Sequence, residues 1–162
     1  MTAATLTLAD FLLARIAEDE KSAREATPGP WRVEGHRDEG PEDAAWSVES
    51  ATAKEHGYPA SVVEVDLDRD YHMPMGGCVR RPDAEHIARH DATRVLDRCV
   101  AERQIVELHG WTKAAYIGDE PQISCETCGT PLDSPEPWPC QTLRWLATSY
   151  ADHPDYRSDW RP

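Results

Sequence analysis

Cys125, Cys128 and Cys140 lie within one short stretch, in the pattern Cys125-x2-Cys128-Gly129 followed by Cys140. A Cys-x2-Cys turn aims two thiolates at one centre, because the chain reverses between them. A glycine after the second cysteine relieves crowding where the chain leaves the turn. A third thiolate and one imidazole complete a tetrahedral zinc site. His109 is the first choice for the imidazole, which gives His109-x15-Cys125-x2-Cys128-x11-Cys140. His153 and Cys99 are the alternatives. Four protein ligands leave no position for substrate, so the zinc is expected to be structural and no catalytic or cofactor-binding residue is assigned. A redox dithiol would follow a strand and open a helix, whereas here glycine, proline and loop follow. The odd cysteine count also argues against a disulfide framework.

Those ligands need elements to hold them. Between Cys128 and Cys140 the loop carries Pro131, Pro135, Pro137 and Pro139. Pro139 suits the start of a helix running to Tyr150, which places the Cys140 thiol at a helix N-terminus and is expected to lower its pKa. His109 stands before Gly110, a natural helix end. The apolar positions Val95, Leu96, Cys99, Val100, Ile105 and Leu108 predict a long central helix ending there. It is preceded by a helical stretch opened by Pro82-Asp83, with Ala84, Ile87 and Ala88 inward and a bend at His90-Asp91.

Near the N-terminus, Leu8, Phe11, Leu12, Ile16, Ala23 and Ala26 share one face of a helix from Thr7 to Glu25. Ala26-Thr27-Pro28-Gly29-Pro30 ends that helix. Trp31–Glu34, Ala45–Ser50 and Ser61–Asp66 read as three strands of a small antiparallel sheet, and 67–81 as a loop. The expectation is a single α+β domain, with a helix–sheet–helix body over 1–110 and a zinc-stabilised lobe and tail over 111–162. The chain has a single phenylalanine and six tryptophans, so much of the core mass is expected to be indole.

The formal charge of −13 is spread along the whole chain. Such a surface repels nucleic acid and anionic membranes, so no direct contact with either is expected. It favours another protein as partner. No secretory signal and no stretch of membrane-spanning length is read, which predicts a cytoplasmic location.

Several weaker constellations carry less chemistry. His86 and His90 share a helix face at a metal-binding spacing, so with a nearby aspartate they support an alternative reading as a metal-dependent hydrolase. Ile87 stands where a zinc-protease helix has its glutamate. Asp66, Asp68 and Asp70 lack the glycine and the distal glutamate of a calcium loop. Cys78 reads as an exposed thiol, and Cys99 as a core residue. Tyr156, Trp160 and Arg161 form either a partner-contact patch or a tail packed back on the domain.

Two stretches together, Ala26-Thr27-Pro28-Gly29-Pro30-Trp31 and Asp83-Ala84-Glu85-His86-Ile87-Ala88-Arg89-His90-Asp91, resemble small phage and prophage proteins of the Ea22-like type. The ending, Pro139-Cys140-Gln141-Thr142-Leu143-Arg144 and then Tyr150-Ala151-Asp152-His153-Pro154-Asp155-Tyr156, resembles an actinobacterial and actinophage domain of unknown function more closely. There a proline often follows the central aspartate, where this chain has Ala92. The resemblance implies a phage or actinobacterial context and repeated use of these cysteines. It implies no activity. The combined expectation is a small, acidic accessory protein that binds another macromolecule and performs no catalysis.

Overall fold

The computed structural model describes residues 6–36, 45–63, 79–117, 120–129 and 138–162. The elements are α1 (Leu8–Glu25), β1 (Trp31–His36), β2 (Ala45–Glu55), β3 (Tyr58–Val63), α2 (Arg81–Arg89), α3 (Ala92–Leu108), β4 (Trp111–Ile117), β5 (Glu120–Cys125) and α4 (Gln141–Ala147). Two 3-10 turns follow, at Thr148–Tyr150 and Ser158–Trp160. The class is α+β, as expected; the described residues form four helices, a small three-stranded antiparallel sheet and a two-stranded one. The chain forms two compact units, one of Met1–Asp19 with Cys99–Pro162 and one of Glu20–Arg98.

In the Glu20–Arg98 unit the sheet has the order β1-β2-β3, all antiparallel. The β2–β3 hairpin is longer than the sequence suggested. Its turn is His56-Gly57, both with positive φ (51° and 89°), between the paired Glu55 and Tyr58. A two-residue turn of that handedness matches the twist of the flanking strands. β3 therefore begins at Tyr58, and the expected strand residues 64–66 lie outside the described residues, as does most of the expected loop, 67–78.

The segment after α1 is tied down by its backbone. The Ser50 hydroxyl donates to the Pro28 carbonyl (2.5 Å), the Thr52 hydroxyl to that of Gly29 (2.9 Å), and the Ala51 amide to that of Pro30 (2.9 Å). The Trp31 indole donates to the Thr27 carbonyl at 2.8 Å. Gly29 is required by close approach, since a Cβ there would lie 2.7 Å from the Thr93 hydroxyl and 3.0 Å from the Asp91 carboxylate.

Asp91 occupies the break between α2 and α3, where the bend was expected. Its Oδ1 accepts the Arg94 amide (2.8 Å), which is N-capping of α3, and Oδ2 accepts the Trp31 amide (3.4 Å). The helix restarts without a proline, because the carboxylate supplies the cap and Ala92 is buried.

In the other unit, Thr7 and Asp10 form a reciprocal cap on α1. The Asp10 amide donates to the Thr7 hydroxyl (3.1 Å), and the Thr7 amide donates to the Asp10 carboxylate (3.3 Å). Leu8, Phe11, Leu12 and Ile16 are buried, as are Leu143 and Ala147 of α4. Phe11 lies under the tail, with ring centroids at 5.0 Å from Trp160, 6.0 Å from Tyr156 and 6.4 Å from Tyr150. The Tyr150 hydroxyl reaches Asp19 at 2.9 Å. Trp160 is buried, so the tail aromatics pack inward and leave Arg161 exposed.

Two expectations fail, the first on helical phase. On α3 the buried positions are Ala92, Cys99 and Val106, seven apart, while Val100, Ile105 and Leu108 are exposed. Each lies too far around the helix from Cys99 to share its face. The core is also aliphatic rather than indole. Of the six tryptophans Trp160 alone is buried, and Trp111 and Trp145 are exposed.

Asp91→Ala is expected to lower stability by about 1–2 kcal/mol, because it removes a cap and strands the Trp31 amide, while Asp91→Asn keeps most of it. Urea denaturation midpoints measure both, and an unshifted alanine variant would contradict this role for Asp91.

Candidate metal centre

The four expected ligands come from three elements. α3 ends at Leu108, and His109 continues its hydrogen bonding by donating its amide to Ile105 (3.1 Å). The chain returns through the antiparallel β4–β5 hairpin, which pairs Trp111 with Cys125 and so brings the end of β5 back beside His109. That hairpin was not read from the sequence. Its only short-range signal is Gly118-Asp119, a turn-forming pair between the two strand segments.

The knuckle follows directly. The Gly129 amide donates to the Cys125 carbonyl at 2.9 Å. A Cβ on residue 129 would sit 2.7 Å from that same carbonyl oxygen, so the turn admits only glycine. The Cys128 amide points at the Cys125 sulfur at 3.5 Å. Three further bonds fasten the knuckle and Trp138 to the end of α3. The Glu126 amide donates to the Gly110 carbonyl (2.9 Å), the Thr127 hydroxyl to that of Leu108, and the Trp138 indole to that of His109 (3.1 Å). The Trp138 amide also reaches the Ile123 carbonyl at 3.2 Å. Cys140 then stands immediately before α4.

His109 Nδ1 lies 3.4 Å from the Cys125 sulfur, 3.3 Å from that of Cys128 and 3.5 Å from that of Cys140. All four donor atoms fall within 4.8 Å of one another, and among the described residues this is the one group of three or more such side chains that could hold a metal ion. One nitrogen lone pair cannot satisfy three sulfurs by hydrogen bonding, whereas one cation can be shared by all four donors. The donor set therefore fits a metal.

The electrostatics point the same way. Burial pushes the Cys128 thiol up, the Cys125 hydrogen bond and the neighbouring Cys140 charge add to it, and together they raise it from 9.0 to about 12. Burial also raises Cys140, with Cys125 contributing. The helix start was expected to lower it. The Leu143 amide does pull it down, but no capping hydrogen bond forms and burial is the larger effect. Without a cation Cys128 and Cys140 hold their protons more tightly than free thiols do. A cation at the centre of the cluster reverses that preference and displaces them.

The alternative ligands are elsewhere. His153 stacks edge-on against Phe11 (5.7 Å) and contacts the Arg15 guanidinium. Cys99 is buried on α3 outside the cluster. His86 and His90 do come together, with ring centroids 4.5 Å apart on the exposed face of α2. Asp66, Asp68, Asp70 and Cys78 lie outside the described residues. Sequence reasoning missed a cavity of about 360 Å³ in the same unit, lined by Thr7, Ala9, Asp10, Trp111, Ile123 and Trp138. Its signal was in the numbering. Trp111 is two residues past His109, Ile123 two before Cys125, and Trp138 two before Cys140.

A model of a family of unknown function, DUF6221, matches residues 5–162, so the chain belongs to that family. No curated protein and no solved structure matches it. No helix among the described residues is long and apolar enough to cross a membrane.

The raised Cys128 pKa has a consequence for metal-free, reduced protein. Unfolded thiols ionise near 9.0 while the folded Cys128 holds its proton to about 12. Its contribution is complete below the lower value and is lost as pH climbs between the two. Denaturation midpoints should therefore fall with pH across that window in metal-stripped protein, and fall less in Cys128→Ser. Equal slopes in the two proteins would refute the assignment.

Proposed function

We propose that this member of DUF6221 carries one structural zinc on His109, Cys125, Cys128 and Cys140, and acts by binding another protein without catalysing a reaction. One observation carries the zinc reading. A tetrahedral zinc with bonds of about 2.3 Å to sulfur and about 2.0–2.1 Å to nitrogen sets each nitrogen–sulfur edge at roughly 3.5 Å. The three edges at His109 Nδ1 measure 3.3, 3.4 and 3.5 Å. When bound, zinc supplies charge neutralisation and a fixed cross-link. This chain's residues orient it, through the knuckle amides and the bonds to the Leu108, His109 and Gly110 carbonyls.

Four protein donors around one centre leave no place for a substrate, which supports a structural role. Binding is supported by apolar side chains turned outward in the same unit: Val100, Leu108, Trp111 and Trp145 are all more than half exposed. The negative charge disfavours nucleic acid and membrane surfaces as partners and favours a protein. Thiols that must stay reduced to bind metal suit the cytoplasm. The motif resemblance supports an actinobacterial or phage origin.

A second reading rests on the approach of His86 and His90. Their 4.5 Å separation on α2 suits two imidazoles sharing a divalent cation, the start of a hydrolytic metal site. Elemental analysis separates the two. The structural reading expects a single zinc per chain, lost or weakened in His109→Ala and Cys128→Ser and unaffected in His86→Ala. A second bound metal, removed by His86→Ala, would bring the hydrolase forward. Reduced protein with no metal at all would end the zinc proposal.

A further inference from the structure

His86 lies on α2 and His90 at its C-cap, four residues on, so the two side chains leave one face a turn apart. Both are exposed, with ring centroids 4.5 Å apart and planes tilted by 48°. Among the described residues no hydrogen bond or ion pair engages either ring. His56, His109 and His153 each have a polar partner: Glu55, the thiols, and Arg15 with Asp155. The backbone under the pair is also fixed. Ala84 is fully buried and anchors α2, and the His90 amide donates to the Ile87 carbonyl at 3.0 Å. Asp91, the next residue, is held by its two amide contacts at the break before α3.

We propose that His86 and His90 form a second, exchangeable site for a divalent transition cation of the zinc, nickel and copper class. The site goes beyond the structural zinc. It shares its residues with the hydrolytic reading above but requires no turnover. Two nitrogens on one tetrahedral ion stand roughly 3.3 Å apart. Rings with centroids 4.5 Å apart meet that span by turning about their side-chain torsions. Imidazole suits zinc, nickel and copper, whereas magnesium and calcium take oxygen donors, so the donor set selects the class.

The local charge admits a cation. Arg80 pairs with Asp83 and Arg81 with Glu85, both at 2.8 Å, which neutralises the cations at the start of α2. Arg89 is exposed, and its long side chain is free to turn away from an ion. The carbonyl end of a helix favours positive charge in its last turn, where His86 stands. Among the described residues no third histidine, cysteine or carboxylate joins the pair, in contrast to the four donors of the cluster. An ion held by two imidazoles keeps open positions and exchanges. Purified protein therefore still carries one zinc, and the second ion appears when the metal is supplied.

The test uses full-length, untagged protein holding its first zinc. NiCl2, ZnCl2 and MgCl2 are titrated in separately by calorimetry, and histidine side-chain signals are followed in ¹H–¹⁵N spectra. Nickel and zinc should each show one further saturable equivalent and magnesium none. The imidazole signals of His86 and His90 should move or broaden, with those of His56 and His153 in place. His86→Ala and His90→Ala should each abolish the further equivalent and keep the first zinc, since both positions are exposed. The proposal is overturned if no further equivalent binds, if it persists in both variants, or if magnesium binds as well as nickel. Turnover separates this site from the hydrolytic reading. A further equivalent lost in both variants, in protein that leaves bis(p-nitrophenyl) phosphate intact, keeps the site and removes the support for hydrolysis. In His109→Ala, loss of the first zinc with the second equivalent retained shows that the pair binds metal independently of the cluster.

Discussion

Three thiols and an imidazole from distant points in the chain crowd into one small volume, and that crowding is the constraint on which the rest of their unit depends. Buried thiols resist ionisation because each new thiolate is desolvated and faces the others. The raised Cys128 and Cys140 thiols express that cost. A divalent cation converts it into attraction, and the same side chains that repel as anions become a cross-link. The chain prepares for this with backbone alone. The Gly129 turn, the Cys128 amide on the Cys125 sulfur and the carbonyl contacts at the end of α3 place the donors before any ion arrives.

Among the described side chains of the unit built around that point, the buried apolar residues belong mainly to helices: Leu8, Phe11, Leu12 and Ile16 on α1, Val106 on α3, Leu143 and Ala147 on α4. Among the described side chains of the hairpin, Trp111 and Ile123 are exposed, and Ser124 and Cys125 are buried. An isolated two-stranded hairpin is marginal in water. A metal held at its end would clip the hairpin in place while Trp111 and Ile123 stand exposed.

How much of this was legible follows from which interactions are local. The ligand spacing, the Thr7–Asp10 start of α1 and the break at Asp91 are written in short stretches, and each could be read from residue type. The β4–β5 hairpin was not, because Trp111–Ile117 lacks clean alternation. β3 was placed late because the His56-Gly57 turn was overlooked. Val100 and Leu108 were expected inside because they are apolar at nearly helical spacing. Which of two apolar faces is buried is decided by what packs on the helix, and the sequence of the helix alone does not carry that. The cavity is the same case. Its walls are adjacent to the ligands in sequence, but their convergence with Asp10 depends on where the N-terminal helix lies in the fold.

Two of the motifs that carry the family resemblance are explained by fold chemistry, and this bears on where function should be sought. Gly29 admits no side chain because Asp91 and Thr93 press on it, and Asp91 caps α3 while accepting the Trp31 amide. The two signature stretches therefore meet at a single carboxylate, and each needs the other for its geometry. Residues fixed by such mutual contact serve the structure whatever the protein does. His86 and His90 fall inside one of these stretches yet make no contact of this kind; they are exposed on α2 and touch each other. That is why they keep a second metal reading open beside the four-residue cluster.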